Sequence, residues 1–304
     1  MGVFTFAIVW VGREDPMPRP RDFDYLWVAS RAVWQGDDPY AAVQDAVKQG
    51  ALEYPFYYPA TAPVFLAPFG ALPFRLGVSL FTALGMALLA WSVQGWRRWI
   101  LVSPPAIQAV LYGQWSPWLT AAVGLPWLGL VWAAKPNIGL TLFSGWPSRL
   151  ALFGGLGLLA LSLALLPHWP ADWLTAIRDT PHYKAPVQRF GGALLLLAFL
   201  RWRRPEARML GVLALVPHTT GVYEHLPLLL IPQTKKTFAM LVGLSYVATL
   251  LAYRGVPYET VAKMLDAQWP YFLVLVYLPA LYLVLRAPEG GSAERREEQS
   301  SAPG

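Results

Sequence analysis

At 304 residues the chain is long enough for one or two soluble domains, yet 56% of it is apolar and only 14% is charged, against roughly 45–50% and about 25% in ordinary globular chains. With a mean hydropathy of +0.39 it has too little polar surface to face water all round. This excludes a soluble globular protein and leaves an all-α, polytopic membrane protein, because helices satisfy their own backbone groups in lipid. The absence of cysteine excludes disulfides, thiol nucleophiles and cysteine-held metals, and the net charge of +6 is to be sorted by membrane side before it is read as nucleic-acid binding.

In chain order, Val3–Gly12 is about half a membrane thickness long and reads as a first spanning helix shortened at its start. The long polar stretch 13–73 follows. Clean spans are then expected at Phe74–Val93, Trp115–Ala134, Leu150–Leu166, Phe238–Tyr253 and Pro270–Leu285. Shorter apolar runs occupy Ile100–Tyr112, Gly191–Leu200, Met209–Pro217 and Leu226–Pro232, and Ile138–Trp146 is short enough to be re-entrant. Together these predict about nine to ten transmembrane segments in one domain, 1–288. A charged tail, 289–304, is expected to be disordered.

Arg97, Arg98, Arg149, the cluster Arg201, Arg203, Arg204 and Arg208, Lys235, Lys236 and Arg286 punctuate alternate ends of these segments. The positive-inside rule puts them and the tail in the cytoplasm. The cationic surplus is then cytoplasmic, the opposite face is slightly acidic, and no nucleic-acid partner is implied. All four histidines and most acidic residues fall on the outer face, which is the expected working surface.

The first outer loop, 13–73, is the most informative stretch. Between Phe23 and Trp34 apolar residues recur at helical spacing, predicting an amphipathic helix in the interface plane. Asp22 stands at its start, either as an N-cap or as a carboxylate held for chemistry, and Asp24 is the alternative acid. Gly36-Asp37-Asp38-Pro39 ends the helix. The prolines 55, 59, 63, 68 and 73 predict a kinked, aromatic approach to the membrane rather than a plain helix. Further along, His218, Tyr223, Glu224 and His225 share a proline-bounded loop between apolar half-segments. Polar groups at that depth are costly unless satisfied, which marks the loop as functional, with His218 the first choice for contact with phosphate or sugar. Gln114, in a Gly-Gln-Trp turn, is placed either to bond a sugar or to brace a helix end. Lys135-Pro136-Asn137 follows an outside-to-inside helix and so is expected at the cytoplasmic side or in a re-entrant hairpin.

The run Asp22-Phe23, Tyr25, Ala29, Gly36, Asp38-Pro39-Tyr40, followed by Tyr57-Tyr58-Pro59, Pro68 and Leu72-Pro73, resembles the opening of family 87 glycosyltransferases. Gly113-Gln114, Lys135-Pro136-Asn137 and Pro217-His218 with Tyr223 follow in that family's order, so the resemblance covers residues 20–235. One position departs from the pattern: Ala60 stands where the family usually has proline. Family 87 belongs to the GT-C superfamily and includes polyprenyl-phosphate-mannose-dependent mannosyltransferases.

The resemblance implies a GT-C-like fold and inverting transfer of a hexose from a polyprenyl-phosphate donor to a lipid or glycan acceptor at the extracytoplasmic face, the C-terminus being cytoplasmic. Asp22 matches the family's general base. A polyprenyl phosphate leaves as a stable anion, so one carboxylate suffices. Asp24, Arg21, Arg31, Gln114, His218, Tyr223, Glu224 and His225 are the expected substrate contacts, with membrane lipids as further partners. No cofactor is required by the sequence and no metal-ligand cluster is visible, although some GT-C enzymes use a divalent cation. A lipid-linked-sugar transporter or flippase, and an inactive GT-C-like scaffold, are the competing readings.

Overall fold

The structure, a computed structural model, describes residues 2, 5, 21–178, 183–254 and 260–288. The expected first helix, save Thr5, and the expected disordered tail lie outside the described residues, as does His182. Every regular element among the described residues is helical.

Three helices are long and apolar enough to cross a membrane: α4 (Phe74–Ser92), α11 (Lys235–Ala252), and the run Val261–Arg286. The last is made of α12 (Val261–Phe272), a π-turn (Leu273–Tyr277) and α13 (Leu278–Arg286). A fourth qualifies if α8 (Arg149–Leu165) and α9 (Trp169–Arg178), bent 97° apart, are taken together. On α8, Leu150, Phe153, Leu156 and Leu161 are exposed, an outward face suited to lipid rather than water.

The amphipathic helix forms as α1 (Asp22–Gln35) and stops at Gly36, whose φ of 84° supplies the left-handed C-cap. It is followed by α2 (Pro39–Lys48), capped by Asp38 through the Tyr40 and Ala41 amides. The apolar face of α1 packs on protein rather than on lipid. Phe23, Leu26 and Ala29 are buried, mostly against α3 (Thr61–Gly70). Contrary to the proline argument, residues 61–70 are helical. Pro63 sits in the first turn, where no amide partner is needed, and only Pro68 interrupts the interior. The helix ends two residues on, and Pro73 caps α4.

At the α1–α3 crossing, a Cβ on Gly70 would lie 2.4 Å from the backbone of Ser30 and Arg31. Backbone cannot move aside as a flexible side chain can. Gly70→Ala is therefore expected to destabilise the fold by about 1–3 kcal/mol or more through overpacking, read as a lower thermal midpoint in detergent. An unchanged midpoint would show that the two helices slide apart without loss.

The expected span Trp115–Ala134 is not one helix. It breaks at Leu125-Pro126 into α6 (Ser116–Gly124) and a 3-10 segment (Pro126–Ala133). Trp132 Nε1 donates to Leu119 O at 3.0 Å, so the chain doubles back at the break. Pro126 offers no amide to continue α6. The chain then enters α7 (Pro136–Gly145) in close contact with the returning segment, because a Cβ on Gly139 would meet Trp132 O at 2.1 Å. At the far end of α7, Arg208 of α10 (Pro205–Leu215) donates to the Ser144 and Gly145 carbonyls at 2.7 and 2.8 Å. Arg97 likewise reaches Pro232 O, and Arg201 reaches Leu285 O. The basic clusters thus close helix C-termini.

Candidate functional site

Asp22 is the first residue of α1, and its place is set by the aromatic block behind it. Phe23 contacts Phe74 and Phe81, and Phe81 stacks on Trp118 with ring centroids 5.4 Å apart. Trp118 Nε1 in turn donates to Phe81 O at 2.9 Å. Such ring pairs contribute about 0.5–1.5 kcal/mol each beyond their buried area. The preceding residue, Arg21, donates to Leu111 O at 2.6 Å. This ties the start of α1 to the end of α5 (Pro104–Tyr112).

Capping falls to a different carboxylate from the one expected. Arg21 occupies the N-cap, and its amide donates to Asp24 Oδ2 at 2.5 Å. The N-cap reading of Asp22 is therefore corrected: Asp24, one turn in, closes the helix, and Asp22 is spared that task.

Of the two placements expected for Lys135, the cytoplasmic side and a re-entrant hairpin, the hairpin is the one the fold takes. Lys135 is returned by the doubled-back chain to the Asp22 end and is buried there. Its Nζ pairs with Glu224 Oε1 at 2.8 Å, the two side chains being 9% and 1% exposed. It also lies 5.3 Å from the Tyr223 ring centroid. The hairpin is fastened here by Thr61 Oγ1, which donates to Ala133 O at 2.7 Å, and Asn137 Nδ2 donates to Pro217 O at 3.4 Å. The Lys135-Pro136-Asn137 and Pro217-His218 segments, 80 residues apart, therefore meet.

The loop after Pro217 carries strain. Thr220 has φ of 50°, an uncommon and costly conformation for a β-branched residue. The turn brings Thr219 Oγ1 to 3.2 Å from the Tyr223 hydroxyl, and Tyr223 stands beside Asp22. His218 is buried, with Nδ1 2.7 Å from Val216 O and Nε2 3.3 Å from the Tyr277 hydroxyl. A carbonyl only accepts, so Nδ1 carries the proton and Nε2 accepts from Tyr277. His225 lies against Phe272 and Tyr277, with centroids 4.6 and 5.2 Å away. Its Nε2 is buried without a protein partner.

The two central carboxylates, Asp22 and Glu224, lie outside the helices long enough to span, and their environments separate them. For Asp22, burial first, then the negative Glu224 and Asp24, outweigh the attraction of Lys135 and the Tyr223 hydroxyl, pushing the carboxyl up to about 6. For Glu224, burial works against ionisation, but its neighbours, the Lys135 ammonium foremost, win and hold it below the usual carboxylate range. One acid is thus firmly ionised and the other is poised near neutrality, the arrangement that assigns different roles to neighbouring carboxylates.

Of the expected contacts, Asp22, Asp24, Arg21, Tyr223, Glu224 and His218 come together at this end. Gln114 is buried in the adjoining turn, and both ends of its amide lack a protein partner. Such a group costs about 1–3 kcal/mol unless water or a ligand satisfies it. Arg31 does not join them. It is exposed, nine residues along α1 or about 13 Å by helical rise, and lies over the Trp27 ring at 5.2 Å. Tyr58 and Tyr183 were not foreseen. Burial, then the charges of Asp22 and Glu224, raise both phenols, so both stand near the two carboxylates. The Tyr-Tyr-Pro run hinted at Tyr58, but nothing in the sequence marked Tyr183. Among the described residues no group of three acidic or histidine side chains is arranged to hold a metal. No protein-family model, curated protein or solved structure matches the chain.

Proposed function

We propose that the chain is a polytopic, GT-C-type membrane glycosyltransferase that moves a hexose, mannose first among candidates, from a polyprenyl-phosphate donor to a lipid or glycan acceptor. In this reading the long apolar helices cross the membrane with the arginine clusters and C-terminus cytoplasmic, and Asp22 faces outside. The observation that carries it is Asp22 itself: recessed, relieved of helix capping by Asp24, and set beside a buried Lys135–Glu224 pair.

Asp22 takes the proton of the acceptor hydroxyl as that oxygen attacks the anomeric carbon, and the carbon–phosphate oxygen bond breaks with its electrons leaving on phosphate. Lys135 supplies the positive charge for the departing anion, and Glu224 holds Lys135 until it arrives. His218, with Nδ1 protonated, and Tyr223 orient the groups around that exchange, while Gln114 meets a sugar hydroxyl. The test is transfer of labelled mannose from polyprenyl-phosphate mannose in membranes carrying the chain or Asp22→Asn. Undiminished transfer by the variant removes Asp22 as base.

A base with its carboxyl raised to about 6 predicts the pH profile. Below that value Asp22 is protonated and cannot accept, so kcat/KM is expected to fall about tenfold per pH unit under pH 6 and to level off above it. A flat profile from pH 5 to 7 would contradict a base titrating there.

One observation favours a second reading. A lysine–glutamate pair inside an apolar body is also what a transporter places along its path. Labelled sugar appearing across sealed vesicles without a new glycosidic product would select that alternative.

A further inference from the structure

Beside the Asp22 group lies a second charged centre. Arg189 Nη1 donates to Asp266 Oδ1 at 2.5 Å, and Lys184 Nζ donates to Oδ2 at 3.1 Å. One carboxylate is divided between two cations, leaving a positive charge over. The guanidinium is rooted in the protein, its side chain 5% exposed, while the Asp266 and Lys184 side chains are 48% and 54% exposed. Arg189 lies 5.8 Å from the Trp269 ring centroid, and its Nε is buried with no protein partner.

The backbone around Arg189 is firmly held. Gly191 turns the chain with φ of 74°, and Trp269 Nε1 donates to Phe190 O at 2.9 Å. The centre also adjoins the transfer site: Lys184 follows Tyr183, which stands near Asp22 and Glu224, and Arg189 stands near Tyr277, the hydroxyl partner of His218.

We infer that Arg189 and Lys184 form a binding site for a phosphate oxyanion, separate from the Lys135 centre, with Asp266 standing in for the ligand. Two oxygens bridging a guanidinium and an ammonium is the geometry a phosphate offers equally well. The exposed Asp266 has water to turn to when displaced.

The inference deepens the transferase reading and rests on it for the phosphate's role: an anchor on the acceptor side, which holds a phosphate-bearing lipid while its sugar hydroxyl reaches Asp22. The oxyanion itself comes from a lipid headgroup or from free phosphate.

The test is binding to the full chain in phosphatidylcholine nanodiscs, with inorganic phosphate and short-chain phosphatidic acid as probes. Asp266→Asn removes the competing charge and keeps the shape. It is expected to tighten binding about tenfold, and Arg189→Gln to weaken it by about as much or more, the size of one charge-assisted hydrogen bond. Comparable binding of both probes identifies free phosphate as sufficient, and a preference for phosphatidic acid identifies the headgroup. Absence of binding by either probe, or unchanged or weaker binding to folded Asp266→Asn, overturns the site.

Should Asp266→Asn not fold, the exposed Lys184→Gln decides. Severalfold weaker binding supports the site and unchanged binding overturns it. Asp22→Asn is expected to bind the probes normally, so loss of transfer and loss of this site are read separately.

Discussion

Asp22→Asn is expected to lower transfer by about 10²–10⁴-fold, the usual contribution of a positioned base, without loss of stability. The second half of that expectation is what separates chemistry from scaffolding. Asparagine keeps the shape and hydrogen-bonding reach of the side chain but cannot take a proton. Because Asp24 accepts the Arg21 amide, α1 keeps its cap.

The linkage sign points the same way. The Asp22 carboxyl is raised from 3.8 to about 6 in the fold. Between those values the folded chain holds a proton that the unfolded chain has released, so Asp22 lowers stability progressively as pH rises through that window. The cost is at its full extent above about pH 6. A neutral amide escapes it, so at pH 7 the thermal midpoint of Asp22→Asn should equal or exceed that of the parent. A lower midpoint together with lost transfer would return Asp22 to a structural role; an unchanged rate would dismiss it as base.

How much of this was legible beforehand differs by residue, for physical reasons. The helix Asp22–Gln35 was readable because Phe23, Leu26 and Val33 repeat at the helical period and Gly36 stops them. Three of the long apolar elements were likewise visible, since α4, α8 and α11 each bring one uninterrupted run. Which of two acids two residues apart would cap the helix was not readable, because Asp22 and Asp24 both suit a first turn and only the Arg21 geometry decides. Lys135 was only half legible, the hairpin being one of the two placements its sequence allowed. Hydropathy scores Trp115–Ala134 as one crossing, and a crossing carries Lys135 to the opposite face. Pro126 and the Trp132–Leu119 hydrogen bond instead fold the segment back, a pairing that mean hydropathy over the segment does not register. Tyr183 and the Arg189–Asp266 pair depend on longer-range contacts still, the latter 77 residues apart.

Breaking the buried pair gives the largest expected change in stability. Lys135→Met keeps the length of the side chain but leaves Glu224, 1% exposed, without its cation. Removing one partner of such a pair costs about 3–5 kcal/mol, because the remaining charge is stranded. The variant is therefore expected to unfold at markedly lower temperature in detergent. Adding Glu224→Gln removes the stranded charge and should return most of that loss, whereas Glu224→Gln alone strands Lys135 and should be harmful by itself. This non-additivity is the signature of direct coupling, and a double variant no more stable than Lys135→Met would deny it.

The same double variant also tests chemistry. It loses the charge that meets the departing phosphate, so transfer is expected to stay low after stability has recovered. Both lost charges also act on Asp22. Lys135, which lowers its carboxyl, outweighs Glu224, which raises it, so the acidic limb of whatever activity persists should move to higher pH. Restored stability with restored transfer would mean that the pair serves only to hold α7 against the loop after Pro217. Restored stability without transfer would assign Lys135 to the reaction itself.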